Sequence, residues 1–326
     1  MSRLAVVGAG AWGTALAALY ARGGETVSLL GRDEATIAAI NEGHANPRYL
    51  PGIQLPASVR ATGDAAEALA DAELVLLVVP AQSLAGVAGS LAPHLAATAT
   101  LVLCAKGIER TSGRFLSELA AEALPGHPLA ALSGPSFASD VASGLPTAVT
   151  VAARDGEAAD LLARQLSTES FRCYASDDLR GVEVGGALKN VLALAAGIVA
   201  GRGLGASAQA AIVTRGFVEL RRLGEALGGR PETLMGLSGL GDLVLTCSSP
   251  QSRNFAYGAA LGRGEDVSRM KLAEGVFTAA IAARLAGESA IEAPIVETVA
   301  QVLDAQLSVD EAAQRLLARP LKREVG

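Results

Sequence analysis

Short, wholly apolar runs alternate with helix-spaced stretches through the first half of the chain. Leu4-Ala5-Val6-Val7 leads into Gly8, Thr14 to Ala21 has helical spacing, and Thr26-Val27-Ser28-Leu29-Leu30 reads as a second strand. Leu74 to Val79 is apolar at every position and stops at Pro80, as expected of a strand covered on both faces of a parallel sheet. Leu101 to Cys104 repeats the pattern, and Leu129 to Leu132 does so more weakly. Such βα alternation, with Gly or Pro at the turns, predicts a doubly wound sheet. After about residue 180 the strands give way to helical patterns over 182–200, 207–227, 272–287, 294–304 and 308–318. Ser308 with Glu311 three residues later is a capping-box signature at the head of the last. The expected fold class is α/β: a doubly wound domain over 1–180, then an all-helical domain over 181–326, with the ligand between them.

Composition narrows the classes. The chain has 326 residues, of which 50% are apolar and 3% aromatic, with 37 glycines. Abundant small residues suit close-packed helices and tight strand-to-helix turns. A net charge of −6 argues against nucleic acid as a partner, while leaving room for a small anion held by a few local cations. Cys104, Cys173 and Cys247 are too far apart to suggest a disulfide framework or a zinc site, and His44, His94 and His127 are scattered. No metal site is expected. The amino terminus runs directly into an apolar strand, and the helical run Val191 to Gly201 is shorter than the roughly 20 residues a bilayer requires. The expectation is a cytoplasmic protein without a membrane span. Oligomeric state is not legible, and a homodimer stays open.

Gly8-Ala9-Gly10-Ala11-Trp12-Gly13 is a G-x-G-x-x-G string. Chance alone would produce one roughly 0.5 times in a chain this rich in glycine, so context decides. Here a strand ends at Gly8 and a helix pattern follows Gly13. That is the arrangement in which backbone N–H groups and the helix dipole receive a pyrophosphate. At the end of the second strand, Gly31-Arg32-Asp33 stands where an acidic residue would bind the ribose 2′-hydroxyl of NAD. Arg32 reads either as a solvated arginine or as a partner for a 2′-phosphate. The latter favours NADPH, and Asp33 leaves dual use open.

Strand topology places Lys106 and the loop Ser133-Gly134-Pro135-Ser136-Phe137-Ala138 at the carboxyl edge of the sheet, where ligands bind in open α/β folds. In the helical half, Asp242 follows Gly239-Leu240-Gly241 and reads as a helix cap or as an acceptor for a substrate hydroxyl. Ser252, Arg253 and Asn254 are expected in the first turn of a helix, a good phosphate receptor. Lys189 is one of only four lysines beside 23 arginines, and it sits among Ala, Val and Leu. A desolvated ammonium can be tuned towards neutrality as an arginine cannot, so Lys189 is the candidate proton-transfer residue. Its ordinary pKa of about 10.4 would have to fall, by burial or through a neighbouring cation such as Lys106.

In this order the segments resemble the bacterial NAD(P)-dependent glycerol-3-phosphate dehydrogenase family. The likeness is carried by Gly8 to Leu16, Asn46-Pro47-Arg48-Tyr49-Leu50-Pro51, Lys106-Gly107-Ile108-Glu109, Ser133 to Ala138 and Leu188-Lys189-Asn190-Val191. It continues through Gly239 to Leu243, Ser252-Arg253-Asn254, Ala273-Glu274-Gly275 and Arg319-Pro320-Leu321-Lys322. The resemblance implies a Rossmann domain followed by a helical one. It also implies hydride exchange between NAD(P)H and dihydroxyacetone phosphate, giving sn-glycerol 3-phosphate for phospholipid synthesis. Lys189 would be catalytic; Lys106, Gly134, Ser136, Lys189, Asp242, Ser252, Arg253 and Asn254 would meet the phosphorylated substrate. Gly8, Gly10, Ala11, Trp12, Gly13, Arg32, Tyr49, Lys106, Ala138, Arg253, Leu272 and Glu274 would meet NADP or NAD. Two departures stand out: Ala206-Ser207 replaces a usual Asp-Asn pair, and Asp140 stands where Glu is usual. The rival readings are a dehydrogenase of β-hydroxy acids, which has less need of the Ser252–Asn254 cluster, and a non-catalytic NAD(P)-responsive regulator, which would need a partner surface.

Overall fold

The computed structural model describes residues 4–271 and 273–318, so Leu272 and the Arg319–Lys322 string lie outside the described residues. In the first part β1 (Leu4–Val7) leads into α1 (Ala11–Arg22), and β2 (Val27–Leu30) into α2 (Glu34–Gly43). A hairpin of β3 (Ala45–Asn46) and β4 (Leu50–Gln54) precedes β5 (Val59–Thr62) and α3 (Ala65–Leu69). The alternation resumes with β6 (Leu74–Leu77), α4 (Leu84–Leu91), β7 (Thr100–Leu103), α5 (Leu116–Ala123) and β8 (Leu129–Ser133). It closes with α6 (Ala138–Ala142), β9 (Thr147–Ala153), α7 (Gly156–Leu166) and β10 (Phe171–Ser176).

Eight of these strands form one sheet in the order β10-β9-β8-β7-β6-β1-β2-β5. Neighbours run parallel except β8 and β9. Successive residues of a strand point to opposite faces, and both faces are covered. Val6, Leu29, Leu76 and Val102 join one core cluster, while Ala5, Val7, Val75, Leu77, Leu101 and Leu103 join the other. This is why the central strands lack polar alternation. From β1 the chain builds outwards to β2 and β5, then returns to place β6 on the other side of β1. The order reverses between β1 and β6, which opens a crevice beyond their carboxyl ends. The strand expected over 74–79 stops at Leu77, and Val78 N–H still donates to Val7 carbonyl at 2.8 Å.

The remaining helices are α8 (Leu179–Gly201), α9 (Ala206–Ala226), α10 (Pro231–Leu234), α11 (Asp242–Ser248), α12 (Arg253–Arg263), α13 (Glu274–Glu288), α14 (Pro294–Leu303) and α15 (Val309–Leu317). A π-helical turn, Leu237–Gly241, precedes α11. The expected capping box is present: Ser308 Oγ accepts from Glu311 N–H at 3.2 Å, and the Glu311 carboxylate accepts from Ser308 N–H at 2.7 Å. The chain divides into two compact units, with one cut inside α8. The sheet unit runs to Gly186 and takes in Gly229–Asp242; the helical unit comprises Ala187–Gly228 and the described residues from Leu243. Segment 229–242 joins the sheet unit through Asp178, which accepts from Arg230 N–H and Gly181 N–H, each at 2.8 Å. The small face of Gly185 also lies against Gly239.

By length and mean hydropathy (1.6), α8 alone among the described helices passes the test for a membrane span, being longer than the apolar run 191–201 suggested. However, 78% of that window is buried within the protein, as in a core helix. Its second half explains the glycine content. Gly197 and Gly201 on α8 face the backbone of Phe255 and Ala259 on α12, while Gly258 and Gly262 on α12 face the backbone of Leu194 and Ile198 on α8. A methyl group at any of the four would fall well inside van der Waals contact with a carbonyl oxygen. The two backbones therefore approach as only glycine permits. Gly258→Ala should destabilise the protein by about 1–3 kcal/mol, read by chemical denaturation; wild-type stability would show that the helices can separate without cost.

Candidate active site

Gly8 follows β1 with φ +117°, and an added side chain would strike the Val78 carbonyl just beyond the end of β6. One at Gly13 would strike the Gly8 carbonyl, so strand and helix approach closely there. Gly10 is different, because its side-chain position faces open space. It is also the N-cap of α1 and offers no side chain to the first-turn N–H groups. Ala11 and Trp12 form that turn. Room for a pyrophosphate thus coincides with a positive helix end at the topological switch, and these residues fit a dinucleotide. Asn46 braces the turn. Fully buried, it donates from Nδ2 to Ala9 carbonyl at 3.0 Å and Thr14 Oγ1 at 2.8 Å.

At the carboxyl edge of β7 and β8, four of the expected residues meet. Lys106 Nζ donates to Gly134 carbonyl at 3.0 Å and pairs with Asp242 Oδ2 at 2.6 Å. Ser136 Oγ donates to the same carbonyl at 3.1 Å. Asp242 is 2% and Lys106 19% exposed, so the ion pair is largely desolvated and removing one partner would strand the other. Asp242 is therefore more than a helix start. Gly134, at φ +150°, sits against Val149, where a side chain would come within 2.8 Å of its Cα. Ala138 opens α6, and Asp140 lies within it, accepting from Ser139 Oγ at 3.1 Å.

Beneath Lys106 is a cavity of about 10 Å³, enough for one water, lined by Lys106, Ser133, Glu183 and Gly186 among others. Ser133 Oγ is buried beside it without a hydrogen-bond partner. The Glu183 carboxylate accepts from Ser117 N–H at 2.8 Å and Ser117 Oγ at 2.5 Å. Burial pushes the Glu183 carboxyl above its ordinary value of 4.5, against the opposing pull of those two bonds.

In the helical unit, Lys189 is 6% exposed and donates from Nζ to Thr246 Oγ1 at 2.6 Å. Thr246 was not singled out by the sequence reading, because nothing local to it marks a partner 57 positions away. Ser252 is the cap of α12 rather than part of its first turn, and its Oγ accepts from Phe255 N–H at 3.2 Å. Arg253 is exposed at the first position of the helix. Asn254 is buried; its Nδ2 donates to Asn190 Oδ1 at 2.9 Å, and its Oδ1 accepts from Gly275 N–H at 2.8 Å. The residues next in sequence to Lys189, Arg253 and Glu274 are thus tied together. Asn190, visible beforehand only as the neighbour of Lys189, is one link of that network. Ala206 and Ser207, at the head of α9, are exposed. Arg32, exposed beyond β2, and Tyr49, in the hairpin, belong to the sheet unit.

A pyrophosphate cradle at the switch of a doubly wound sheet, in a chain that also buries an ammonium against a hydroxyl, defines a dinucleotide-dependent dehydrogenase. Comparison with known proteins gives the family. Residues 3–159 match the N-terminal model of NAD-dependent glycerol-3-phosphate dehydrogenase, and residues 178–314 match the C-terminal one. The chain is 62% identical to a glycerol-3-phosphate dehydrogenase [NAD(P)+] of Chelativorans sp. (strain BNC1), over 98% of each chain. It is 58% identical to that of Brucella canis, over 99% of each. The crystal structure of glycerol-3-phosphate dehydrogenase from Coxiella burnetii superposes with a TM-score of 0.92 at 39% identity, covering 98% of this chain and 99% of the other. The chain belongs to the NAD-dependent glycerol-3-phosphate dehydrogenase family.

The Glu183 shift has a sign that can be measured. Its carboxyl binds a proton more tightly folded than unfolded, so its contribution is fully present at low pH and is lost as pH rises above the ordinary carboxylate range. Glu183→Gln should lack that loss when stability is measured by urea denaturation from about pH 4 to pH 8. Identical pH profiles for the two proteins would rule the shift out.

Proposed function

We propose that this enzyme interconverts sn-glycerol 3-phosphate and dihydroxyacetone phosphate with NAD(P), supplying glycerol phosphate for glycerophospholipid synthesis. The observation that carries the reading is the Asn190–Asn254 bond. It joins the neighbour of a buried ammonium, Lys189, to the neighbour of an exposed guanidinium, Arg253, at a helix start. A proton-transfer group and an anion receptor so joined suit a small substrate with a phosphate close to its carbonyl. A β-hydroxy acid would have less use for the receptor.

When bound, the nicotinamide supplies or accepts the hydride at C2. Lys189 gives the proton to the C2 oxygen in reduction and takes it back in oxidation, with Thr246 fixing its direction. Arg253 and the first turn of α12, capped by Ser252, hold the phosphate. Binding energy remote from C2 then sets the geometry of transfer. Lys106, pinned between Gly134 carbonyl and Asp242, is a fixed positive charge at the carboxyl edge of the sheet, suited to an anionic ligand. The reading also implies a cytoplasmic enzyme, in keeping with Cys104, Cys173 and Cys247 being buried and forming no disulfide with one another.

The decisive experiment is NADPH and NADH oxidation with dihydroxyacetone phosphate against non-phosphorylated keto acids. Turnover of the keto acids alone would overturn the assignment. Lys189→Ala should lower kcat by about 100- to 10,000-fold while cofactor binding persists; near-normal turnover removes Lys189 from proton transfer. Arg253→Ala should raise KM for dihydroxyacetone phosphate roughly tenfold to a hundredfold, and an unchanged KM argues against its role at the phosphate.

A further inference from the structure

Beyond the glycine turn, the adenosine end of a bound dinucleotide would meet Gly31-Arg32-Asp33 at the carboxyl end of β2. Asp33 is the residue whose carboxylate would be expected to accept a ribose 2′-hydroxyl. Both of its oxygens are engaged. Oδ2 caps α2, accepting from Thr36 N–H at 2.9 Å and Thr36 Oγ1 at 2.5 Å, and Oδ1 pairs with Arg48 Nη1 at 3.1 Å. The hydrogen bonds from Thr36, with the nearby Arg48 charge, hold the Asp33 carboxyl below its usual range. Arg32, next to it, is exposed.

Arg48 comes from the β3–β4 hairpin, and two contacts fix where that hairpin stands. Asn46 ties it to the glycine turn through Ala9 carbonyl and Thr14 Oγ1, and its own Oδ1 accepts from Tyr49 N–H at 3.3 Å. The Arg48–Asp33 pair ties it to the end of β2. The Arg48 guanidinium also lies over the Tyr49 ring, 5.1 Å from its centroid, which restricts its plane. One hairpin thereby braces the pyrophosphate turn and delivers a guanidinium to Asp33, the residue next in sequence to Arg32.

We propose that Arg48 is a specificity-determining residue of the cofactor site, which closes with Arg32 on the 2′-phosphate of NADP and rests on Asp33 when NAD is bound. The assignment rests on the dehydrogenase reading above. The exchange is physically cheap. Arg48 is 59% and Asp33 41% exposed, and a solvated pair of this kind is weak, whereas a phosphate offers the guanidinium a doubly charged, bidentate partner. Asp33 keeps its Thr36 bonds when Arg48 leaves, so α2 stays capped. It also screens Arg48 when no phosphate is present, which explains how one site accepts both cofactors.

Trp12 is the only tryptophan in the chain and lies in the first turn of α1, so its fluorescence reports cofactor binding without turnover. NADP⁺ and NAD⁺ are titrated separately into the full-length protein and its variants. Arg48→Ala should reduce the ratio of NADP⁺ to NAD⁺ affinity at least tenfold. Asp33→Asn, which retains a helix cap, should raise that ratio by releasing Arg48. Added salt should lower the ratio more in the parent than in Arg48→Ala. An unchanged ratio in Arg48→Ala, or equal loss of both affinities, overturns the role of Arg48 while leaving the dehydrogenase reading intact. A parent protein that binds neither dinucleotide removes that reading and the assignment together.

Discussion

The backbone-to-backbone contact between α8 and α12 is the constraint on which the helical unit depends. Four reciprocal glycines bring the two helices closer than any side chain would allow. The polar groups at the head of that contact then have one arrangement. Asn254 reaches Asn190, and Gly275 brings α13 so close that a side chain there would lie 2.6 Å from Asn190 carbonyl and 2.8 Å from Asn254 Oδ1. A buried amide network is costly to form only in part, which makes the register of the three helices strict. Lys189, Arg253 and Glu274 inherit their positions from it.

The sheet unit solves a similar problem with charge. The Lys106–Asp242 pair is largely desolvated, and its worth is geometric rather than thermodynamic. It holds an ammonium beside Gly134 carbonyl at the edge of the sheet, where an uncompensated lysine would be expensive to bury. The Arg48–Asp33 pair is the opposite case, solvated and weak, and so can change partners. Burial thus separates a cation that holds its place from one that is free to respond to the cofactor.

Much of the sheet was legible because strands buried on both faces cannot hide their apolar runs. The exceptions follow the same logic. β10 reads Phe-Arg-Cys-Tyr, with Phe171 and Cys173 buried and Arg172 and Tyr174 exposed, as befits the edge of the sheet. Its polar positions broke the run that marked β6 and β7. β9 runs antiparallel to β8, and nothing in Thr147 to Ala153 announces a reversal that depends on which neighbour it pairs with. β3 and β4 are too short for a periodic signal, although their loop carries Arg48 and Tyr49.

Read by itself, the amino-acid sequence determined the βα alternation, the glycine turn before α1, the small-residue helices and the isolated lysine among apolar neighbours. Each of these is a local fact, set by periodicity, backbone freedom or the cost of burying charge. Tertiary structure alone decided that Lys106 pairs with Asp242 across 136 positions of chain, that Lys189 meets Thr246, and that Arg48 pairs with Asp33. Segment 229–242 returning to the sheet unit was decided in the same way. Hydrogen bonds and ion pairs are made by whichever groups packing brings within about 3 Å, and sequence separation carries no record of that distance.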